Sequence, residues 1–212
     1  MQGMSTPNPD PRPSDFSVSD LPFAGKKLLV AVGGGIAAYK TATLVSRLVQ
    51  GGAEVQVVMT AAAAEFIGGA TFAALSGRPV CNSIFAADHY PLGPHIELAT
   101  NRDLMIVAPA TADLLAKFSQ GFSDSLVSAL YLQIECPVLL APAMSTPMWQ
   151  KASVQRNVRQ IIDDGAVVVG PEKGWLSCRQ LGEGRMSEPE TILQRAAELL
   201  DVSSAGATHR DR

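Results

Sequence analysis

The sequence predicts an α/β fold: one parallel, doubly wound sheet between helices on both faces, a three-layer αβα arrangement. Two observations predict it. Short continuous apolar runs, of the kind that a strand buried on both faces requires, recur along the chain, and segments with helical apolar spacing stand between them. The alternation carries no internal repeat and no linker, which predicts one domain over residues 21–201. Residues 1–20, rich in Pro, Ser and Asp, and residues 202–212 read as flexible tails.

The first strand is "KKLLVAVGG", and the helix "IAAYKTATLVSRLVQ" follows it and stops at Gly51-Gly52. "AEVQVVMT" is the second strand, with "AAAAEFI" and "GGATFAALSG" as two short helices. "DLMIVAPA" is the third strand; "TADLLAKFSQG", closed by Gly121, and "SDSLVSALYLQ" are helices. "CPVLLAPA" is the fourth strand and "PMWQKASVQRNVRQIIDDG" one long helix, with Thr146 as N-cap and Pro147 as its first residue. "AVVVGP" is the fifth strand and "SEPETILQRAAELL" the last helix, with Ser187 and Glu190 at capping-box positions.

Composition excludes several functions. Apolar residues are 47% of the 212 and charged residues 17%, which suits a large core extended by a subunit interface. A formal charge of -3 argues against broad attraction to nucleic acid. No apolar run is long enough to span a bilayer, and the N-terminus lacks a basic segment followed by an apolar one, so no membrane partner is expected and the cytoplasm is the expected compartment. Cys81, Cys136 and Cys178 are odd in number and widely spaced, and form neither a disulfide framework nor a metal cluster.

In a doubly wound sheet, ligands bind beyond the carboxyl ends of the strands. Strand one ends in Gly33-Gly34-Gly35, where a glycine turn before a helix N-terminus serves either as a tight βα connection or as a phosphate cradle. Thr60 ends strand two, as a hydroxyl donor to a phosphate or as a helix cap. Strand three runs into "APATAD" and strand four into "APAMSTPM". Helix capping accounts for the Thr-Pro pair but not for Met144, Ser145 and Met148. Strand five leads to "GPEKGWLSCRQLGEGRMS", a glycine loop that reads either as a lid or as a surface loop with an incidental cysteine, with Arg179 and Arg185 near Cys178. Nearby guanidinium charge is placed to lower a thiol pKa and to orient an anionic substrate. His95 starts a short segment before strand three, with a structural or an acid–base role.

Taken as a set, "GGIAAYK", "VVMT", "HIELA", "DLMIVAPAT", "PAM" with "MW", and Cys178 followed by "GEGRM" resemble the flavin-containing cysteine decarboxylase family, in its order and spacing over about residues 26–200. The resemblance implies a Rossmann-like subunit that binds FMN at a subunit interface, assembled as a homo-oligomer, a trimer or a multiple of three. It implies a small-molecule substrate, 4'-phosphopantothenoylcysteine above others, and its decarboxylation. The FMN phosphate would meet Gly34, Gly35, Ile36, Ala37 and Thr60, and the ring Thr111, Ala112, Asp113 and Ala143. Substrate would meet Met144, Ser145, Met148, Gly184, Arg185 and Met186. His95 would assist oxidation of the substrate thiol, and Cys178 would donate a proton late in the reaction. Bifunctional members carry a second, ligating domain, and none is expected within this chain.

Four positions depart from the family pattern: Ser145 and Asp113 stand where it has Asn, and Arg179-Gln180 where it has Gly-Asp. An ionised Asp113 against the ring would disfavour the reduced flavin. Two further readings stay open: a flavoprotein of the same family acting on another thiol or carboxylate, and a catalytically weak FMN-binding regulatory or partner subunit.

Overall fold

The computed structural model describes residues 22–85 and 88–207. The expected tail at 1–20 lies outside the described residues. In chain order the elements are β1 (Lys27–Val32), α1 (Ala38–Gln50), β2 (Glu54–Met59), α2 (Ala61–Ala64), α3 (Gly69–Ser76), α4 (Pro94–Glu97), β3 (Leu104–Ala110) and α5 (Ala112–Gln120). They continue with α6 (Leu126–Gln133), β4 (Val138–Pro142), α7 (Thr146–Trp149), α8 (Ala152–Asp163), β5 (Val167–Val168), β6 (Glu172–Trp175), β7 (Leu181–Arg185) and α9 (Pro189–Ala207).

The expected sheet is present. Five parallel strands run in the order β2-β1-β3-β4-β5. Alternation along the central strands divides the core in two. Leu28, Val30 and Val32 of β1, with Leu104 and Ile106 of β3, face α1, α3 and α9. Leu29, Ala31, Met105 and Val107 face α5, α6 and α8 on the other side. A side-chain period of two makes both faces of a continuous apolar run useful, and this is why these strands carry no polar face. The strand order reverses between β1 and β3, so the loops after these two strands diverge to opposite faces and leave a crevice at the carboxyl edge.

Five expectations need correction. The helix expected from Pro147 onward is two helices: Lys151 is extended, with ψ 133°, and the Gln155 side chain takes the Trp149 carbonyl at 2.7 Å, closing α7 before α8 begins. Ser145, not Thr146, holds the N-cap position of α7, and its hydroxyl makes no cap bond. The capping box before α9 does not form, because the Ser187 hydroxyl has no partner and Glu190 pairs instead with Arg47 at 2.8 Å. The expected tail from residue 202 is helical as far as Ala207, since the chain simply continues α9. The glycine loop at 172–185 is an antiparallel hairpin, β6 with β7, joined to no strand of the main sheet.

Candidate functional site

The three glycines after β1 do different work. A Cβ on Gly33 would stand 2.2 Å from the Pro109 carbonyl oxygen, and one on Gly34 2.4 Å from the Ala62 Cβ. Both positions exclude a side chain because the turn packs between β3 and α2. Gly35 would meet only Pro109 Cγ, at 3.9 Å, and opens toward a cavity. The amides of Gly35, Ile36 and Ala37 donate to no group among the described residues, and Ala37 supplies no side-chain cap. These free N–H groups start a helix of 13 residues, whose dipole adds to their attraction for an anion. Gly33 and Gly34 thus make a tight βα turn, while the amides from Gly35 to Ala37 stay available to an anion.

The cavity has a volume of about 470 Å³. This lies within the usual range for small-molecule sites. Its floor is the turn Gly34, Gly35, Ile36 and Ala37, with Thr111 and Ala112 after β3 and Ala143 after β4. The Thr111 hydroxyl accepts from the Leu114 amide at 3.2 Å and so fixes the start of α5. Met144, Ser145 and Met148 complete the wall together with Cys178, Gly184, Arg185 and Met186, from the hairpin and the residue after it.

Three expected residues are not in this wall. Thr60 caps α2, its hydroxyl accepting from the Ala63 amide at 3.1 Å. Asp113 is 69% exposed at its side chain and pairs with Lys117 at 3.3 Å, so its carboxylate turns along α5 rather than into the cavity. His95 lies on α4, with its Nδ1 buried and without a hydrogen-bond partner. Arg179 is also outside the wall; it holds the left-handed conformation, φ 62°, in the hairpin turn.

Five wall residues escaped the sequence reading: Tyr39, Lys40, Trp175, Leu176 and Ser177. Tyr39 and Lys40 stand three and four positions after Ile36, on the same face of the first turn of α1, and that spacing is the signal that marks them. Lys40 is 6% exposed and donates to the Met186 carbonyl at 2.9 Å and to Glu188 at 3.0 Å. Burial pushes its pKa down, as does the nearby Arg185; Glu172 and Glu190 act in the opposite sense. Arg185 bonds the same Glu188 carboxylate oxygen. The wall therefore carries two cations sharing one carboxylate, a setting suited to an anionic ligand.

Among the described residues no group of His, Cys, Asp and Glu forms a metal cluster, and no helix is long and apolar enough to cross a membrane.

The fold and the cavity define a class: a Rossmann-like α/β domain with a cavity at the strand-order reversal, beside a helix N-terminus. Within that class the chain belongs to the Flavoprotein family, which matches residues 20–201. It is 46% identical over 180 residues to the coenzyme A biosynthesis bifunctional protein CoaBC of Mycobacterium tuberculosis (strain ATCC 25618 / H37Rv), covering 85% of this chain and 43% of that protein. It therefore spans less than half the length of the curated relatives it matches. Among solved structures, a Cys-to-Ser mutant of PPC decarboxylase complexed with pantothenoylaminoethenethiol superposes with a TM-score of 0.75 at 25% identity, covering 84% of this chain and 99% of that one. The FMN-dependent cysteine decarboxylase SpaF gives a TM-score of 0.70 at 31% identity, covering 82% and 99%.

Proposed function

We propose that the chain is an FMN-dependent carboxy-lyase that converts 4'-phosphopantothenoylcysteine to 4'-phosphopantetheine and CO₂, in the cytoplasm. One observation carries this reading. A single cavity at the strand-order reversal joins a free-amide helix start, the Ala143–Met148 loop and the Cys178 turn. The relatives named above support the choice of reaction.

The residues present fit FMN. The amides of Gly35, Ile36 and Ala37 would receive its phosphate, and Thr111, Ala112 and Ala143 would border its ring. The small side chains at 112 and 143 leave room for a flat ring system. Bound FMN supplies the reversible removal of two electrons from the substrate thiol, without which loss of CO₂ would leave an unstabilised carbanion. Oxidised in this way, the substrate would carry a carbonyl-like carbon able to take up the electron pair left by CO₂, and return of the two electrons removed earlier would restore the thiol level of the product. On this reading Ser145 and Arg185 hold the substrate's anionic groups, Met144 and Met148 exclude water, and Cys178 delivers the proton that completes the reduced product. The relative complexed with an aminoethenethiol carries Ser in place of Cys, which supports a role for a cysteine after the ene-thiol stage.

His95 does not line the cavity of its own chain, whereas Leu92 and Ile96 beside it are 72% and 38% exposed. We assign His95 to the cavity of a neighbouring copy in a homotrimer, or in trimers grouped further. Exposed Ile36, Tyr39 and Trp175 at the cavity mouth supply an apolar surface for that contact. A stable flavin-bound monomer in light scattering would overturn the assembly.

Ser145 favours one second reading, decarboxylation of a different cysteinyl thiol, because a hydroxyl has a shorter reach than the family's amide and donates and accepts through one atom, where the amide uses two. One experiment separates the two. The purified yellow protein is mixed anaerobically with 4'-phosphopantothenoylcysteine, and CO₂ and 4'-phosphopantetheine are measured. Stoichiometric release supports the first reading. Bound flavin with no CO₂ from this substrate, but release from another cysteinyl thiol, supports the second.

A further inference from the structure

The β6–β7 hairpin has no strand partner in the main sheet, and a lone two-stranded hairpin is marginally stable in water. Its position over the cavity must therefore come from specific ties. Two of them flank Ser145. The Met144 amide donates to the Gly184 carbonyl at 2.9 Å, and the Thr146 hydroxyl donates to the Glu183 carbonyl at 2.6 Å. The approach is backbone-close: a Cβ on Gly182 would stand 2.2 Å from Thr146 Oγ1, and one on Gly184 2.2 Å from the Met144 carbonyl oxygen. Ser145, between these ties, lines the cavity, and its hydroxyl makes no cap bond. Cys178 sits in the turn at the far end of the same hairpin.

We propose that Thr146 is a positioning residue. Its hydroxyl latches β7 to the loop that carries Ser145, and so sets the thiol of Cys178 in register with whatever Ser145 holds. The role of the two latched residues rests on the proposed decarboxylase reading; the latch itself does not. The bond is a side-chain-to-backbone contact near solvent, and water replaces the donor when it is lost. The fold therefore survives its removal, while the hairpin spends more time detached. Loss of one such bond shifts that equilibrium by roughly 3- to 10-fold.

The test compares Thr146→Val, which keeps the shape and removes the donor, with Thr146→Ser, which keeps the donor. Hydrogen exchange by mass spectrometry on the flavin-loaded protein is expected to show faster exchange in residues 181–185 of Thr146→Val, by that ~3- to 10-fold factor. Exchange in β1 and β3 stays unchanged, and Thr146→Ser resembles the wild type. Gly182→Ala reaches the same bond from the hairpin side and gives the same pattern. In turnover, kcat for CO₂ release falls by a similar factor in Thr146→Val and recovers in Thr146→Ser. Equal exchange in wild type and Thr146→Val, or a fall in kcat that Ser does not rescue, overturns the proposal. If the wild type turns over no substrate but the exchange pattern appears, the decarboxylase reading fails and the latch stands.

Discussion

Gly34 and Ala62 meet across the start of the cavity so closely that a Cβ on the glycine would lie 2.4 Å from the alanine Cβ and 2.9 Å from its carbonyl carbon. Gly34 follows β1 directly and Ala62 lies in the first turn of α2, which the Thr60 hydroxyl caps at 3.1 Å, so neither backbone yields easily. Gly34→Ala is expected to cost about 1–3 kcal/mol through overpacking. A domain of this size then melts about 3–10 °C lower. Because the clash pushes the turn off α2, flavin content should fall as well. Calorimetry and the visible absorbance per protein check both; unchanged melting with full flavin would show that the turn relaxes freely.

Ser145→Asn restores an amide where a substrate carboxylate is proposed to lie. A hydrogen bond to a charged group contributes about 1.5–3 kcal/mol. Activity on 4'-phosphopantothenoylcysteine should rise at least tenfold for each ~1.4 kcal/mol recovered. A fall in activity on that substrate would mean that Ser145 is matched to a different one.

Asp113 faces Lys117 rather than the cavity, and Lys117 also holds Asp124 at 3.0 Å. The expectation that its charge acts directly on a flavin ring is therefore replaced. Asp113→Asn should move the two-electron flavin midpoint by less than ~30 mV, the equivalent of ~1.4 kcal/mol. As an exposed pair it should change stability by less than about 1 kcal/mol. A redox titration showing a larger rise in potential would place residue 113 against the ring after all.

The cysteines should separate by reactivity and by pH. Cys178 is exposed, whereas burial pushes the Cys136 thiol up to about 11. At pH 8 an alkylating reagent should modify Cys178 well before Cys136, as peptide mass spectrometry would show. The linkage has a definite sign. The folded chain holds the Cys136 proton more tightly than the unfolded chain, so the stabilisation is complete below the ordinary thiol pKa of 9.0 and is lost as pH rises through about 11. Denaturant unfolding should show stability falling across that window, by no more than roughly 2–3 kcal/mol from this group. In Cys136→Ala the fall should be smaller by that amount; identical curves would remove Cys136 as the cause.

Much of the architecture was legible in the chain itself. The runs around Leu28, Leu104 and Leu139 are apolar at every position, and only strands buried on both faces need that pattern. Once the elements alternate, the loops beginning at Gly33, Thr111 and Ala143 must share the carboxyl edge, while the individual lining residues followed from the family resemblance of their motifs. The hairpin from Glu172 to Arg185 was not legible as strands. Its pattern of glycines and charges lacks an apolar period of two, and its place beside the cavity goes with a backbone-close approach to Met144 and Thr146. The inclusion of Lys40 was decided likewise by a partner 148 positions away, Glu188. The directions of Asp113 and His95 were decided by packing: Asp113 finds its counter-charge along α5, and His95 stands on a short helix outside the cavity of its own chain. Local spacing determines which residues an element presents at an edge; long-range contacts alone decide which of them turn inward.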